Sequence, residues 1–153
     1  MNEFVIGSTF EISLRILLIL NELSPLSLDK QQIEMIDFIS VYAADFGLLD
    51  ENLHGYNNYR YSEYPARKRL VTTALNNLIL NGYVQLYLSS SGYCYNILEA
   101  GKVLCQAFTS SYAKEYVIAV QAVVNKFGNA NTESMLKEIN RRTLQSLKEV
   151  VHE

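Results

Sequence analysis

The feature that most restricts the fold of this chain is a change of period at Asn81-Gly82. Before it, apolar residues recur at helical spacing. After it, in YVQLYL, Val84, Leu86 and Leu88 alternate with Tyr83, Gln85 and Tyr87. Alternation of this kind puts successive side chains on opposite faces of a strand. SSSG supplies a turn, and Tyr93-Cys94-Tyr95-Asn96-Ile97 runs back. Residues 83–88 and 93–98 are therefore predicted to pair as an antiparallel hairpin, with Leu86 buried and residues 90–92 exposed at its tip. Leu98-Glu99-Ala100-Gly101-Lys102 then opens another helix, carrying Val103, Leu104, Ala107 and Phe108.

Three helices precede the hairpin. Ser8-Thr9-Phe10-Glu11 has capping-box spacing. Behind it Ile12, Ile16, Ile19, Leu20 and Leu23 form one stripe and Leu14, Leu17 and Leu18 a second, the pattern of a helix buried on several sides. Pro25 closes it. Asp29 and Gln32 mark the next start, with Ile33, Ile36, Ile39, Ala43 and Phe46 at helical spacing. The third helix starts near Pro65, turns Leu70, Ala74, Leu75, Leu78 and Ile79 inward, and ends where Gly82 suits a left-handed cap. Helix, helix, helix, hairpin, helix is the order of a winged helix-turn-helix domain. The expected class is thus mainly α with a small β-hairpin: a winged helix-turn-helix core over residues 1–111, followed by a C-terminal helical extension over residues 112–153. That extension carries Tyr116, Ala119, Val120, Val123, Val124 and Phe127, breaks at Gly128-Asn129-Ala130-Asn131, and resumes behind Thr132 as the expected cap. Its last helix presents Leu136, Ile139, Thr143, Leu147 and Val150 along one stripe. More apolar stripe than a winged domain needs implies packing on that domain, on a partner or on a second copy.

Composition removes whole classes of function. A hydrophobic share of 49% over 153 residues excludes disorder and allows a core without metal or disulfide staples. Net charge of −3 argues against a dedicated nucleic-acid binder. ISLRILLIL lacks the basic flank and cleavage site of a signal peptide and is too short to span a bilayer, so a cytoplasmic protein with no membrane contact is expected. Cys94 and Cys105 form no CxxC, and His54 and His152 stand far apart, which leaves no zinc pattern. HExxH, GxSxG, P-loop and dinucleotide-turn motifs are absent, so neither catalysis nor a cofactor is expected.

One stretch carries the candidate site: LHGYNNYRYSEYPARKRL, from Leu53 to Leu70. Tyrosine and arginine dominate protein-interface hot spots because they bury large area and keep a polar handle. His54, Tyr56, Tyr59, Arg60, Tyr61 and Tyr64 are the candidate partner contacts; the alternative is that these tyrosines cover the domain's own core. Arg67, Lys68 and Arg69 are candidate contacts to a nucleic-acid backbone. Their alternative is a solvated basic turn paired with Glu63 or Asp50. The wing, SSSG, offers no lysine or arginine to a groove.

GSTFEISLRILLIL, YAADFGLLDENLHGYNNYRYSEYPARKRLV and LNNLILNGYVQLY…GYCYNILEAGKVLC together resemble the middle component of bacterial three-component ABC ATPase systems, phage-defence or conflict loci related to the Lamassu type. The similarity covers about residues 3–127. The resemblance implies a non-enzymatic winged-helix adaptor between an SMC-like or Rad50-like ABC ATPase and an effector protein, with the tyrosine loop as the contact surface, and it leaves room for a DNA contact within the complex. A winged-helix DNA-binding transcriptional regulator is the alternative.

Overall fold

The computed structural model describes residues 9–55, 61, 63–128 and 131–152, with side chains up to residue 149. It contains α1 (Thr9–Leu23), α2 (Lys30–Val41), α3 (Glu63–Leu80), β1 (Val84–Ser89), β2 (Gly92–Ile97), α4 (Glu99–Cys105), α5 (Ser111–Phe127) and α6 (Thr132–His152). The chain is mainly helical with one small antiparallel hairpin.

α1 is the centre of the body. Ile12, Ile16, Leu17, Ile19 and Leu20 are fully buried, and the helix touches α2, α3, α4, α5 and β2. The first stripe and most of the second are buried and only Ser13 and Leu14 stay partly open along this stretch, which agrees with its nearly all-round apolar sequence. The expected cap residue Ser8 lies outside the described residues.

α2 begins with a reciprocal cap: Gln32 N–H donates to Asp29 Oδ1 at 2.7 Å, and Asp29 N–H donates to Gln32 Oε1 at 2.9 Å. It stops at Val41, earlier than its apolar spacing suggests. Phe46 stays buried because the following turn folds its ring back to 6.3 Å from Phe38. α3 begins two residues before Pro65. That position still lies in the first turn, where a missing N–H breaks no helical bond. Gly82 ends α3 with φ 79°, as its place in the sequence predicts.

The hairpin forms where alternation placed it, within one residue, with Val84 opposite Ile97, Leu86 opposite Tyr95 and Leu88 opposite Tyr93. Leu28, between α1 and α2, bridges Tyr95 on the far side of β2. The expected burial of Leu86 is not met: Val84 and Ile97 at the base of the hairpin are buried and Tyr95 packs partly against the core, but Leu86 is 40% exposed. β2 lies half-buried along the body while β1 beyond Val84 stands outside it, so alternation sorts the faces of β1 without burying Leu86 or Leu88.

α4 packs against that base through Gly101. A Cβ there would lie 2.5 Å from the Tyr83 carbonyl oxygen. α5 is capped by Ser110, whose Oγ accepts from Ala113 N–H at 3.1 Å, and it packs on α1 and α2. At α6 the cap is Asn131 rather than Thr132; its Oδ1 accepts from Ser134 N–H at 2.9 Å. The buried stripe of α6 is also turned from the expected one. Met135, Ile139 and Ser146 are buried while Leu147 is exposed, and α6 packs on α2. Among the described residues no helix is long and apolar enough to cross a membrane.

Candidate functional site

Four helices meet around a charged centre. Asp37 of α2 is fully buried and accepts from Arg15 Nε at 2.7 Å, the second Arg15 nitrogen at 3.1 Å, Arg67 at 2.8 Å and the Tyr116 hydroxyl at 2.6 Å. Four donors on two oxygens nearly exhaust a carboxylate's accepting capacity. Burial alone would favour the neutral acid, but Arg15 and Arg67 outweigh it and hold the Asp37 carboxyl well below the ordinary carboxylate range. Arg15 also reaches Glu11, one turn back on α1, at 2.6 Å. Arg67 reaches Glu63, one turn back on α3, at 3.1 Å. The Tyr42 hydroxyl donates to both Glu63 oxygens at 2.8 Å.

His54 closes the network from the turn after α2. Its Nε2 lies 2.8 Å from the Tyr112 hydroxyl and 3.4 Å from Glu11, and its Nδ1 lies 3.5 Å from Arg67. Tyr112 donates to Glu11 at 2.7 Å. Burial pushes the Tyr112 hydroxyl well above its ordinary value, with Arg15 opposing and Glu11 adding to the rise. α1, α2, α3, α5 and this turn are thus cross-braced by charge. Buried ions of this kind are stable only because each meets an opposite partner.

The sequence-predicted contacts are divided by this arrangement. The His54 side chain is 4% exposed and turned inward. Tyr61 is buried, its ring 5.5 Å from Phe38 and 6.2 Å from Phe46, with its hydroxyl on Asp45. Tyr64 is buried against Phe38, and burial followed by the nearby Glu34 pushes its hydroxyl up to about 12. These three residues line the protein's own interior. Tyr56, Tyr59 and Arg60 lie outside the described residues. In the basic turn Arg67 is only 7% exposed and held by Asp37 and Glu63, which takes it away from any phosphate. Lys68 is exposed but reaches Glu34 at 3.3 Å, and Arg69 is exposed. A groove of about 760 Å3 opens above the network between α1 and the start of α5. Leu14, Leu18, Leu53 and Phe108 form its apolar walls, and Glu11, Arg15 and Tyr112 lie along it. Among the described residues no group of acidic, histidine and cysteine side chains is placed to hold a metal ion.

Residues 5–149 match the sequence model of the family described as ABC-three component (ABC-3C) system Middle Component 2. The chain belongs to this family. No curated protein and no solved structure matches it.

In this Middle Component 2 chain, sequence reasoning gave Glu11 only a capping role and Tyr116 only a place on an apolar stripe, and it passed over Arg15, Asp37 and Tyr112. A signal existed in each of two helices: Arg15 interrupts the apolar run of α1, and Asp37 sits among Ile33, Ile36 and Ile39. A charge inside an apolar stripe requires a buried counter-charge. Choosing which of the remaining charges supplies it takes the packing.

Proposed function

We propose that this protein is a non-enzymatic adaptor subunit that links an SMC-like or Rad50-like ABC ATPase to an effector protein in an anti-phage, Lamassu-like defence complex. The observation that carries this reading is the family match over residues 5–149, because a middle component has other components of its system to meet. The fold supports it in two ways. The element order, with Leu28 bridging to β2 beside the hairpin, agrees with a winged-helix arrangement. The charged centre ties four helices into one body on which a loop can be carried without yielding.

The contact surface narrows to Tyr56, Tyr59 and Arg60, since His54, Tyr61 and Tyr64 are engaged internally. Tyr56, Tyr59 and Arg60 stand within seven residues of Leu53 in sequence, and Leu53 lines the apolar groove, which offers a partner apolar surface of its own. Co-expression with an ABC ATPase and an effector of the same three-component system tests the proposal. Tyr59→Ala is expected to weaken capture by about 1–3 kcal/mol with an unchanged melting temperature. Undiminished capture by a Tyr56→Ala, Tyr59→Ala double variant would remove the loop from the interface.

A DNA-backbone contact within the assembly draws support from the exposed Arg69 and Lys68 on α3. A stand-alone winged-helix regulator would have to bind DNA without Arg67. No binding by the isolated protein at about 50 mM salt, where basic contacts are strong, excludes the regulator.

A further inference from the structure

We propose that the outer edge of β1 is a self-pairing surface, on which a second copy of this chain adds its own β1 antiparallel across a twofold axis at Tyr87. The argument begins with main-chain direction. Tyr95 donates its N–H to Leu28 at 2.8 Å and accepts from Leu28 N–H at 3.0 Å, so both of its groups point away from β1. In an antiparallel ladder, opposite residues bond to each other or both turn away. Leu86, opposite Tyr95, therefore turns its N–H and C=O to the outer edge, and so does Leu88 two residues on. The sheet has two strands, and among the described residues no backbone bond from another element reaches either leucine.

Edges of this kind are normally blunted by lysine, proline or a bulge. VQLYLS contains neither lysine nor proline, and its register with β2 runs unbroken from Val84 to Ser89. Leu88 is 70% exposed, and Tyr93 across from it is exposed as well. Charge selects the occupant. Neither β1 nor β2 carries a charged side chain, so a charged strand would find no counter-ion here, whereas a second β1 brings no charge at all. A twofold at Tyr87 sets Leu86 opposite Leu88 of the second copy, Leu88 opposite its Leu86, and Gln85 opposite its Ser89. Each leucine pair then exchanges both main-chain hydrogen bonds and joins one exposed apolar face. A slip of one residue would send the leucines to opposite faces. This pairing does not depend on the adaptor reading.

Sedimentation equilibrium of the purified full-length chain over about 1–300 µM, the affinity range of small interfaces, tests it. A monomer–dimer equilibrium is expected, weakened at least about tenfold by Leu88→Lys and also weakened by Gln85→Lys, with circular dichroism confirming that each variant is folded. In a Cys94→Ser background, which removes the thiol directly opposite position 87 in the same hairpin, Tyr87→Cys should form a disulfide-linked dimer on mild oxidation. The reason is that the axis brings the two copies of that position together as a non-hydrogen-bonded pair with Cα atoms about 4.5 Å apart. A monomer across the whole range overturns the proposal, and so does a dimer indifferent to both lysine variants. It also falls if the wild type is monomeric and Leu88→Lys instead abolishes capture of another component.

Discussion

The head of α3 and the hairpin that follows its other end distribute side chains in opposite ways. At the head, Arg67 stands in a run of three basic residues, yet it is folded inward to Asp37 and Glu63. In the hairpin, Leu86 and Leu88 stand on an alternating apolar face, yet they project into solvent. Pattern alone would have placed the arginine outside and the leucines inside. The difference teaches that burial follows what lies opposite. Arg67 meets a buried carboxylate that it shares with Arg15, whereas the hairpin carries its leucines out where no helix covers them.

The sharpest way to break this comparison is to remove the carboxylate. Asp37→Ala leaves Arg15 and Arg67 buried against each other, and a loss of about 3–5 kcal/mol in urea unfolding is expected. A loss under about 1 kcal/mol would mean that water or other groups already serve the guanidiniums. Arg67→Ala should cost on the order of 2–4 kcal/mol, while Arg69→Ala, two residues away but exposed, should stay within about 0.5 kcal/mol. Equal effects from these neighbours would erase the distinction between a structural and a surface arginine.

Acid sharpens the same point without mutation. The folded-state carboxyl of Asp37 is held well below the ordinary range, so its stabilisation is fully present above the unfolded-state value of about 3.9 and is lost as pH falls below it. Stability of the wild type is expected to drop steadily below about pH 4. Asp37→Asn, less stable at neutral pH, should show a shallower drop in a pH series of urea midpoints. An unchanged slope would assign the acid sensitivity to other carboxylates.

Smaller effects belong to the hairpin. Gly101→Ala drives a methyl into the Tyr83 carbonyl and should cost about 1–3 kcal/mol by pushing α4 off the hairpin base. Leu86→Asp, halfway along the same strand, should cost about 1 kcal/mol or less, because the side chain is already partly in water. A larger loss at Leu86 than at Gly101 would show that the hairpin is covered in solution.

Element positions were legible wherever local physics decides them. The Asp29–Gln32 cap, the glycine stop at Gly82 and the two-residue period of the hairpin are written within a few residues, and each has its observed counterpart. What could not be read was depth. Tyr61 and Tyr64 looked like interface residues because tyrosine suits a surface and an interior alike, and the choice depended on Phe38, more than twenty residues away. His54 likewise meets Tyr112 across a separation of 58 residues. Charges at Arg15 and Asp37 were visible as irregularities in apolar stripes, but their mutual pairing is a property of how α1 crosses α2.

The span of the Tyr112–Glu11 hydrogen bond bears on how the chain is made. The two residues are 101 positions apart, so at about 5–20 residues per second the ribosome delivers Tyr112 on the order of 5–20 s after Glu11. During that interval α1 can emerge and collapse with α2, but the hydroxyls that Glu11 and Asp37 accept from α5 have not yet been synthesised. A nascent chain halted before Ser111 keeps the arginine partners of both carboxylates but should expose the apolar faces of α1 and α2 that α5 covers, a surface recognisable to proteases and chaperones. Completion of α5 is then expected to cut the protease sensitivity of the growing chain, since it covers that surface.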